Sequence, residues 1–212
     1  LKNEASRRAI KAPCVVEEAL DLGAEMSVLV ARGPSGETAV YPAARNHHER
    51  QILAWSSLPG DFAPALEREV RNLAHAIASA LDVVGLLCVE MFQTTDGRLL
   101  VNELAPRPHN SYHASSVACV TGQFEQLVRA VCGLPLGATD IVRPAAIVNL
   151  LGDLWKEGRT PAFERALALP GVSLTLYGKG DPRPARKMGH LTALGATPHE
   201  ARARALEAFL RV

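Results

Sequence analysis

The chain has 212 residues, 48% of them hydrophobic, and its 23 basic residues nearly balance 22 acidic ones for a net charge of +1. That length can bury one good core, or a core with a small satellite. So even a charge gives no general field for nucleic acid or an anionic membrane, and no apolar run approaches the ~20 residues of a membrane-spanning helix, so the expected partners are small molecules held locally.

Residues 1–11 (LKNEASRRAIK) have no apolar signal-peptide core and read as the tail of a helix. Starting without Met, the chain reads as a fragment of something longer. Residues 14–18 (CVVEE) read as a short buried strand ending in acids, and residues 25–32 (EMSVLVAR) as a second strand. Gly33-Pro34-Ser35-Gly36 turns that strand into residues 38–41, the start of an antiparallel meander. Residues 46–49 (NHHE) form a polar interruption before another short strand at 51–55. The spacing of Phe62, Leu66, Val70, Leu73, Ile77 and Leu81 predicts a helix over 62–81 with Asp61 as its cap.

Two short apolar runs, 86–92 and 99–101, flank Asp96-Gly97 and predict a β-hairpin with a two-residue type I′ turn. Counting outward from that turn sets Glu90 directly opposite Glu103. Like charges so placed destabilise a hairpin unless a cation lies between them, and Mg²⁺ takes one or two carboxylates together with phosphate oxygens and water. A register slipped by one residue would instead send one glutamate to the solvent face. Thr121 is expected to cap a further helix through Cys132, with Phe124, Leu127, Val128 and Val131 inward, stopped by Gly133 and Pro135.

The pattern changes near residue 142, where a boundary is expected. Strands at 145–150, 172–177 and 187–193, a short helix at 161–167 and a basic loop at 178–185 follow. Thr197-Pro198-His199-Glu200 is a capping box with Pro at the first helical position, so a last helix runs to about Leu210. Cys14, Cys88, Cys119 and Cys132 form no CxxC pair, and three of them lie in apolar or helical patterns. They read as small buried hydrophobes in a reducing cytosol, not as a zinc site.

Four groups of residues could carry chemistry. Glu17, Glu18 and Glu25 could meet a ribose or adenine, or be surface charges, and His48 could touch a phosphate. Glu90 and Glu103, with Asn102, form the second group. Arg107, His109, Asn110 and His113 form the third, in which Arg offers planar, bidentate recognition of a carboxylate or phosphate. The fourth is Lys179, Arg183, Arg186, Lys187 and His190, read as a phosphate clamp or a solvated charged loop. Neither a GxGxxG nor a GxxxxGK[ST] run supplies a nucleotide site.

The runs VNELAPRPHNSYH (101–113), ACVTGQFEQLVRAVCGLPLG (118–137) and RKMGH (186–190) closely resemble the 5-(carboxyamino)imidazole ribonucleotide synthetases of purine biosynthesis, a family of ATP-grasp ligases. The resemblance implies an α+β chain. Residues 1–141 would be the C-terminal part of an ATP-grasp domain, an antiparallel sheet with helices, and 142–212 a small α/β domain with a substrate-phosphate loop. It implies ATP-dependent carboxylation of aminoimidazole ribonucleotide: bicarbonate is phosphorylated to carboxyphosphate, and the exocyclic amine then takes the carboxyl group. Glu17, Glu18, Ala19 and Leu20 would lie against the adenine, Glu25 at the ribose and His48 at the nucleotide. Glu90 and Glu103 would ligate Mg²⁺, with Asn102 at the phosphates. Arg107, His109 and Asn110 would bind bicarbonate and the imidazole, with Arg107 and His109 nearest the chemistry, and Lys179 and Arg186 would hold the ribonucleotide phosphate.

The family is cytoplasmic and tends to be homodimeric. It usually has Gly where this chain has Tyr112 and Ala185, and a side chain forced to positive φ costs ~1 kcal/mol or more. A whole enzyme of this kind also carries an N-terminal domain and the other half of the grasp, so this chain alone is expected to bind Mg-ATP weakly at best, and its activity alone is left open. Two other readings stay open: a different ATP-grasp carboxylate ligase, against which the PHNS run and the basic loop argue, and a truncated non-catalytic piece that binds nucleotide or dimerises.

Overall fold

A computed structural model describes residues 13–15, 17–155 and 159–212. The helix tail expected at 1–11 lies outside the described residues. The described strands are β1 (Leu22–Arg32), β2 (Thr38–Val40), β3 (Ala44–Glu49), β4 (Ile52–Leu58), β5 (Gly85–Thr94), β6 (Leu99–Ala105), β7 (Ala145–Leu151), β8 (Val172–Leu176) and β9 (Lys187–Leu194). They form one sheet in the order β6-β5-β1-β3-β4-β7-β9-β8, with β2 paired to β1 and every pairing antiparallel. The helices are α1 (Pro64–Ala80), α2 (Ser115–Ala118), α3 (Gln123–Val131), α4 (Phe163–Leu167) and α5 (Pro198–Leu210). This is the expected α+β architecture of an antiparallel sheet with helices. The sheet runs on through residue 142, because β4 pairs with β7 from Trp55↔Val148 to Leu58↔Ala145.

β1 is central and buried on both faces, which is why its middle is an almost unbroken apolar run. Met26, Val28 and Val30 pack under α1 with Val70, Ala74, Ala78, Leu87, Val89 and Met91. Leu29 and Ala31 face the other layer, with Tyr41, Leu86, Cys88, Tyr112 and Ile147. The loop after β6, which with α2 and α3 builds that second layer, also carries Arg107 and His109. At the other end of the sheet α5 lays Ala201 and Ala205 against Ala146, Val148 and Ala193. Its predicted cap is present, with Thr197 Oγ1 accepting from the Glu200 amide at 3.1 Å.

Several expectations are corrected. Among the described residues of 14–18 no buried strand forms: Cys14 is exposed, Val15 is 86% exposed, and neither has a sheet partner. Asn46–Glu49 is no interruption but the end of β3, its side chains held by a polar network. α1 begins at Pro64, because proline at the first position needs no amide partner, and Asp61 at φ +55 does not cap it. Leu81 lies past its end and is exposed.

α3 starts after Gly122, not on a Thr121 cap, and its inward residues are Gln123, Gln126 and Ala130. Leu127 is partly buried against the core, but Phe124, Val128 and Val131 face outward. The two glutamines can be inside because each amide clamps backbone. Gln126 donates to the Gly137 carbonyl at 2.7 Å and accepts from its amide at 2.8 Å. Cys88 and Cys119 are buried, whereas Cys14 and Cys132 are exposed.

Candidate functional site

The β5–β6 hairpin turns differently from expectation yet reaches the expected pairing. Its loop has three residues, Thr95, Asp96 and Gly97, closed by Thr94 N–H to Arg98 O at 2.9 Å and Gly97 N–H to Thr94 O at 2.9 Å, with Gly97 at φ +87. This is the turn-plus-bulge loop in which glycine takes the left-handed position. It shifts the near register by one, giving Gln93↔Leu99, Phe92↔Leu100 and Met91↔Val101. A second irregularity, with Asn102 as the extra residue, restores Glu90↔Glu103. The two bulges cancel, and Glu90, Asn102 and Glu103 all line one cavity.

That cavity, of about 650 Å³, also collects Glu17, Glu25, His48, Arg107 and His109. Four segments distant in sequence therefore deliver eight of the residues assigned through the resemblance to one place. Glu18, Ala19 and Leu20 instead line a neighbouring depression against Thr94–Asp96 and Arg98 at the hairpin turn. Asn110, Lys179 and Arg186 are not among the residues lining the cavity. Lys187, Gln51 and Phe92 are. Of these only Lys187 stood out in the sequence, as part of the basic loop; it opens β9, whereas Arg186 lies just before the strand.

Inside the cavity Glu25 and His48 pair with each other across β1 and β3. His109 Nε2 lies 2.9 Å from Glu90 Oε1, both side chains about nine-tenths buried. Glu90 is held below the usual carboxylate range chiefly by the His109 hydrogen bond, against the opposing effect of burial. His109 is fixed from behind: its Nδ1 is 2.8 Å from Ser111 Oγ, which is 2.8 Å from Ser27 Oγ, which accepts from Asn46 Nδ2 at 3.0 Å. Glu90, held ionised, can only accept, so His109 donates to it through Nε2–H, while Nδ1 faces the Ser111 hydroxyl. Gln123 completes the support, accepting from the His109 amide at 2.8 Å and donating to its carbonyl at 3.0 Å.

Tyr112 is not in the left-handed region. It sits in a 3₁₀ turn, Asn110–Tyr112, fully buried, with its hydroxyl 2.9 Å from the Ser27 carbonyl and 2.8 Å from that of Pro42. The turn therefore accepts a large residue and uses it as a tie between layers. Ala185 does take φ +64. The side-chain amide of Asn110 is buried with both its oxygen and its nitrogen unpartnered, beside His109 in the chain. Lys187 is drawn below its ordinary range by burial, with Glu90 opposing that effect. Lys179 donates to the Lys187 carbonyl at 2.8 Å, and Arg186 to that of Asp181 at 2.7 Å, so the basic loop folds back on itself.

Among the described residues no group of three or more His, Cys, Asp or Glu is arranged around a metal position. What the cavity offers is two carboxylates and an amide oxygen beside cations, the donor set Mg²⁺ takes when phosphate and water complete its shell. Among the same residues no helix is long and apolar enough to cross a membrane.

Known proteins match this chain in sequence and fold. Residues 2–124 match the ATP-grasp domain, and residues 145–204 match the phosphoribosylaminoimidazole carboxylase C-terminal domain. The N5-carboxyaminoimidazole ribonucleotide synthase of Bacillus subtilis is 46% identical over 179 residues, 84% of this chain and 46% of that protein. The crystal structure of N5-carboxyaminoimidazole ribonucleotide synthetase from Thermotoga maritima, 42% identical, superposes with a TM-score of 0.89 over 99% of this chain and 57% of its own. An Aspergillus clavatus synthase solved with ADP and 5-aminoimidazole ribonucleotide, 31% identical, gives 0.81 over 90% and 52%. The chain thus spans about half the length of the curated relatives it matches. With the ATP-grasp match extending over more than half its residues, the chain belongs to the ATP-grasp family.

Proposed function

We propose that this chain supplies one wall of the active site of a carbon–nitrogen ligase that carboxylates aminoimidazole ribonucleotide with ATP and bicarbonate. The observation that carries the reading is the Glu90↔Glu103 pair in one cavity with Arg107, His109 and Lys187. The names of the relatives, and the ADP and ribonucleotide in one of them, support the substrate assignment. The γ-phosphoryl of ATP passes to a bicarbonate oxygen, releasing ADP. The amine of the ribonucleotide then attacks the carboxyl carbon and expels phosphate.

Phosphoryl transfer needs alignment and charge neutralisation more than covalent help. Glu90 and Glu103 would hold Mg²⁺, which would supply neutralisation of the triphosphate charge. Asn102 contacts the nucleotide phosphates, and Glu25 and His48 take the ribose and nucleotide. Glu17, Glu18, Ala19 and Leu20 border the adenine. Arg107 holds bicarbonate in line, and His109, locked by Ser111 and Gln123, keeps Glu90 ionised and oriented. Asn110, whose amide is buried and unpartnered outside the cavity lining, meets the bicarbonate or imidazole once it turns inward, and Lys179 and Arg186 meet the ribonucleotide phosphate once released from their backbone contacts.

We place the boundary between grasp domain and small C-terminal domain near residue 142, between the two family matches. We further propose a cytoplasmic homodimer, supported by the outward apolar face of Val120, Phe124, Val128 and Val131, each at least 53% exposed. The test is ADP release dependent on both bicarbonate and aminoimidazole ribonucleotide, with this chain joined behind the half of the Bacillus subtilis relative it does not match. Loss of less than about tenfold in kcat/KM for Glu103→Gln refutes the metal role.

A further inference from the structure

A two-residue turn joins β3 to β4: Glu49 pairs with Ile52, so Arg50 and Gln51 alone make the loop. Both stand at positive φ, +49 and +66, as a type I′ turn requires. Asn-Gly is the favoured sequence for that turn, because longer side chains are strained in the left-handed region. Here neither position holds glycine, asparagine or aspartate. Strain kept at two successive residues beside a cavity is a pointer to function.

The two side chains part company. Arg50 lines a separate cavity with Trp55, Val148 and Phe209, whereas Gln51 lines the polar one. Gln51 is exposed there, and among the described residues its amide has no hydrogen-bond partner. Apart from the apolar Leu53 and Phe92, Gln51 and Asn102 are the only residues of that lining without a titratable group. They stand at opposite edges. Asn102 lies on β6 beside Glu103, and Gln51 immediately precedes β4, three strand spacings of ~4.8 Å from Glu90 on β5. A nucleotide whose phosphates meet Glu90 and Glu103 therefore brings its sugar, not its phosphates, to Gln51.

A ribose hydroxyl both donates and accepts. Glu17 and Glu25 are carboxylates that only accept, and His48 is taken up by Glu25. Arg107 and Lys187 are cations, suited to phosphate or carboxylate. The uncharged donor for a sugar oxygen at this edge is the Gln51 amide. We propose that Gln51 is a further nucleotide-binding residue, its side-chain N–H donating to a ribose hydroxyl, and that the strained turn is kept because it aims that amide. The inference rests on the reading of the polar cavity as a nucleotide site.

The test uses the 212-residue chain with Mg²⁺ and two probes, ADP and 2′,3′-dideoxy-ADP. Binding is followed by NMR at the backbone amides of β3 and β4 and, where present, the Gln51 side-chain amide. ADP should shift the Gln51 amide saturably and bind about fivefold more tightly than the dideoxy probe. Gln51→Gly should raise Tm by about 2–4 °C, weaken ADP about fivefold and leave the dideoxy probe within about twofold. Arg50→Asn, which relieves the other half of the turn, should raise Tm likewise and leave ADP binding within about twofold. Undiminished ADP binding by Gln51→Gly, with ADP still lost in Glu25→Gln, overturns the role of Gln51 and leaves the nucleotide reading standing. Equal weakening of both probes in Gln51→Gly overturns it too, since the amide then meets no ribose hydroxyl. No binding of ADP to the unaltered chain overturns the proposal together with the nucleotide reading.

Discussion

Acid should weaken this fold through one buried pair before it reaches the carboxylates. His113 and His190 stack at 4.8 Å on the seam between the loop after β6 and β9. Gln123 donates to His113 Nδ1 at 3.1 Å, and the Tyr177 hydroxyl lies 2.9 Å from His190 Nδ1. Burial lowers both imidazoles to about 4, with the neighbouring His190, His109 and Lys187 adding to the effect at His113. Above pH 6.5, the ordinary value, folded and unfolded chains both hold them neutral and nothing is lost. Below it the unfolded chain takes up protons that the folded one refuses, so stability falls as pH drops towards 4. From pH 7 to pH 5 that linkage removes about 2 kcal/mol per imidazole, ~4 for the pair. Urea unfolding at those two pH values should show the loss, and His190→Gln, which keeps a polar group near Tyr177, should remove about half of it. Loss of the same size in His190→Gln and the unaltered chain would refute the assignment.

Gln123→Leu strands the buried amide and carbonyl of His109, and urea unfolding should register a loss of about 2–4 kcal/mol. Gly152→Ala sets a Cβ 2.1 Å from the Arg183 carbonyl and disturbs the 2.8 Å bond from Gly152 N–H to Arg186 O. In the joined enzyme KM for the ribonucleotide should rise about tenfold with kcat changed less, as expected for a displaced phosphate loop. Ala185→Gly should stabilise the chain by about 0.5–1 kcal/mol in the same unfolding assay, because the residue sits at φ +64.

Much of this protein could be read from local chemistry. Alternation and turn residues located most strands, Thr197 to Glu200 announced α5, and an Asp-Gly between apolar runs announced the β5–β6 hairpin. The motif runs carried the family, and with it the residues of the polar cavity. The failures have physical causes. α3 looks amphipathic with Phe124, Val128 and Val131 inward, yet the inward side holds two glutamines, because backbone at Gly137 and His109 is there to be bonded. Asn46 and His48 look like loop residues, yet a strand carries them because Ser27, Ser56 and Glu25 await their side chains.

The pairing of Glu90 with Glu103 shows the division most clearly. Residue order set the two acids at matching distances from the expected two-residue turn, since strand periodicity is a property of the chain. That they share a face after two bulges, and that His109 and not solvent meets Glu90, were settled only by packing. Those outcomes depend on which distant backbone groups lie within hydrogen-bonding reach, and no local pattern of residues encodes that.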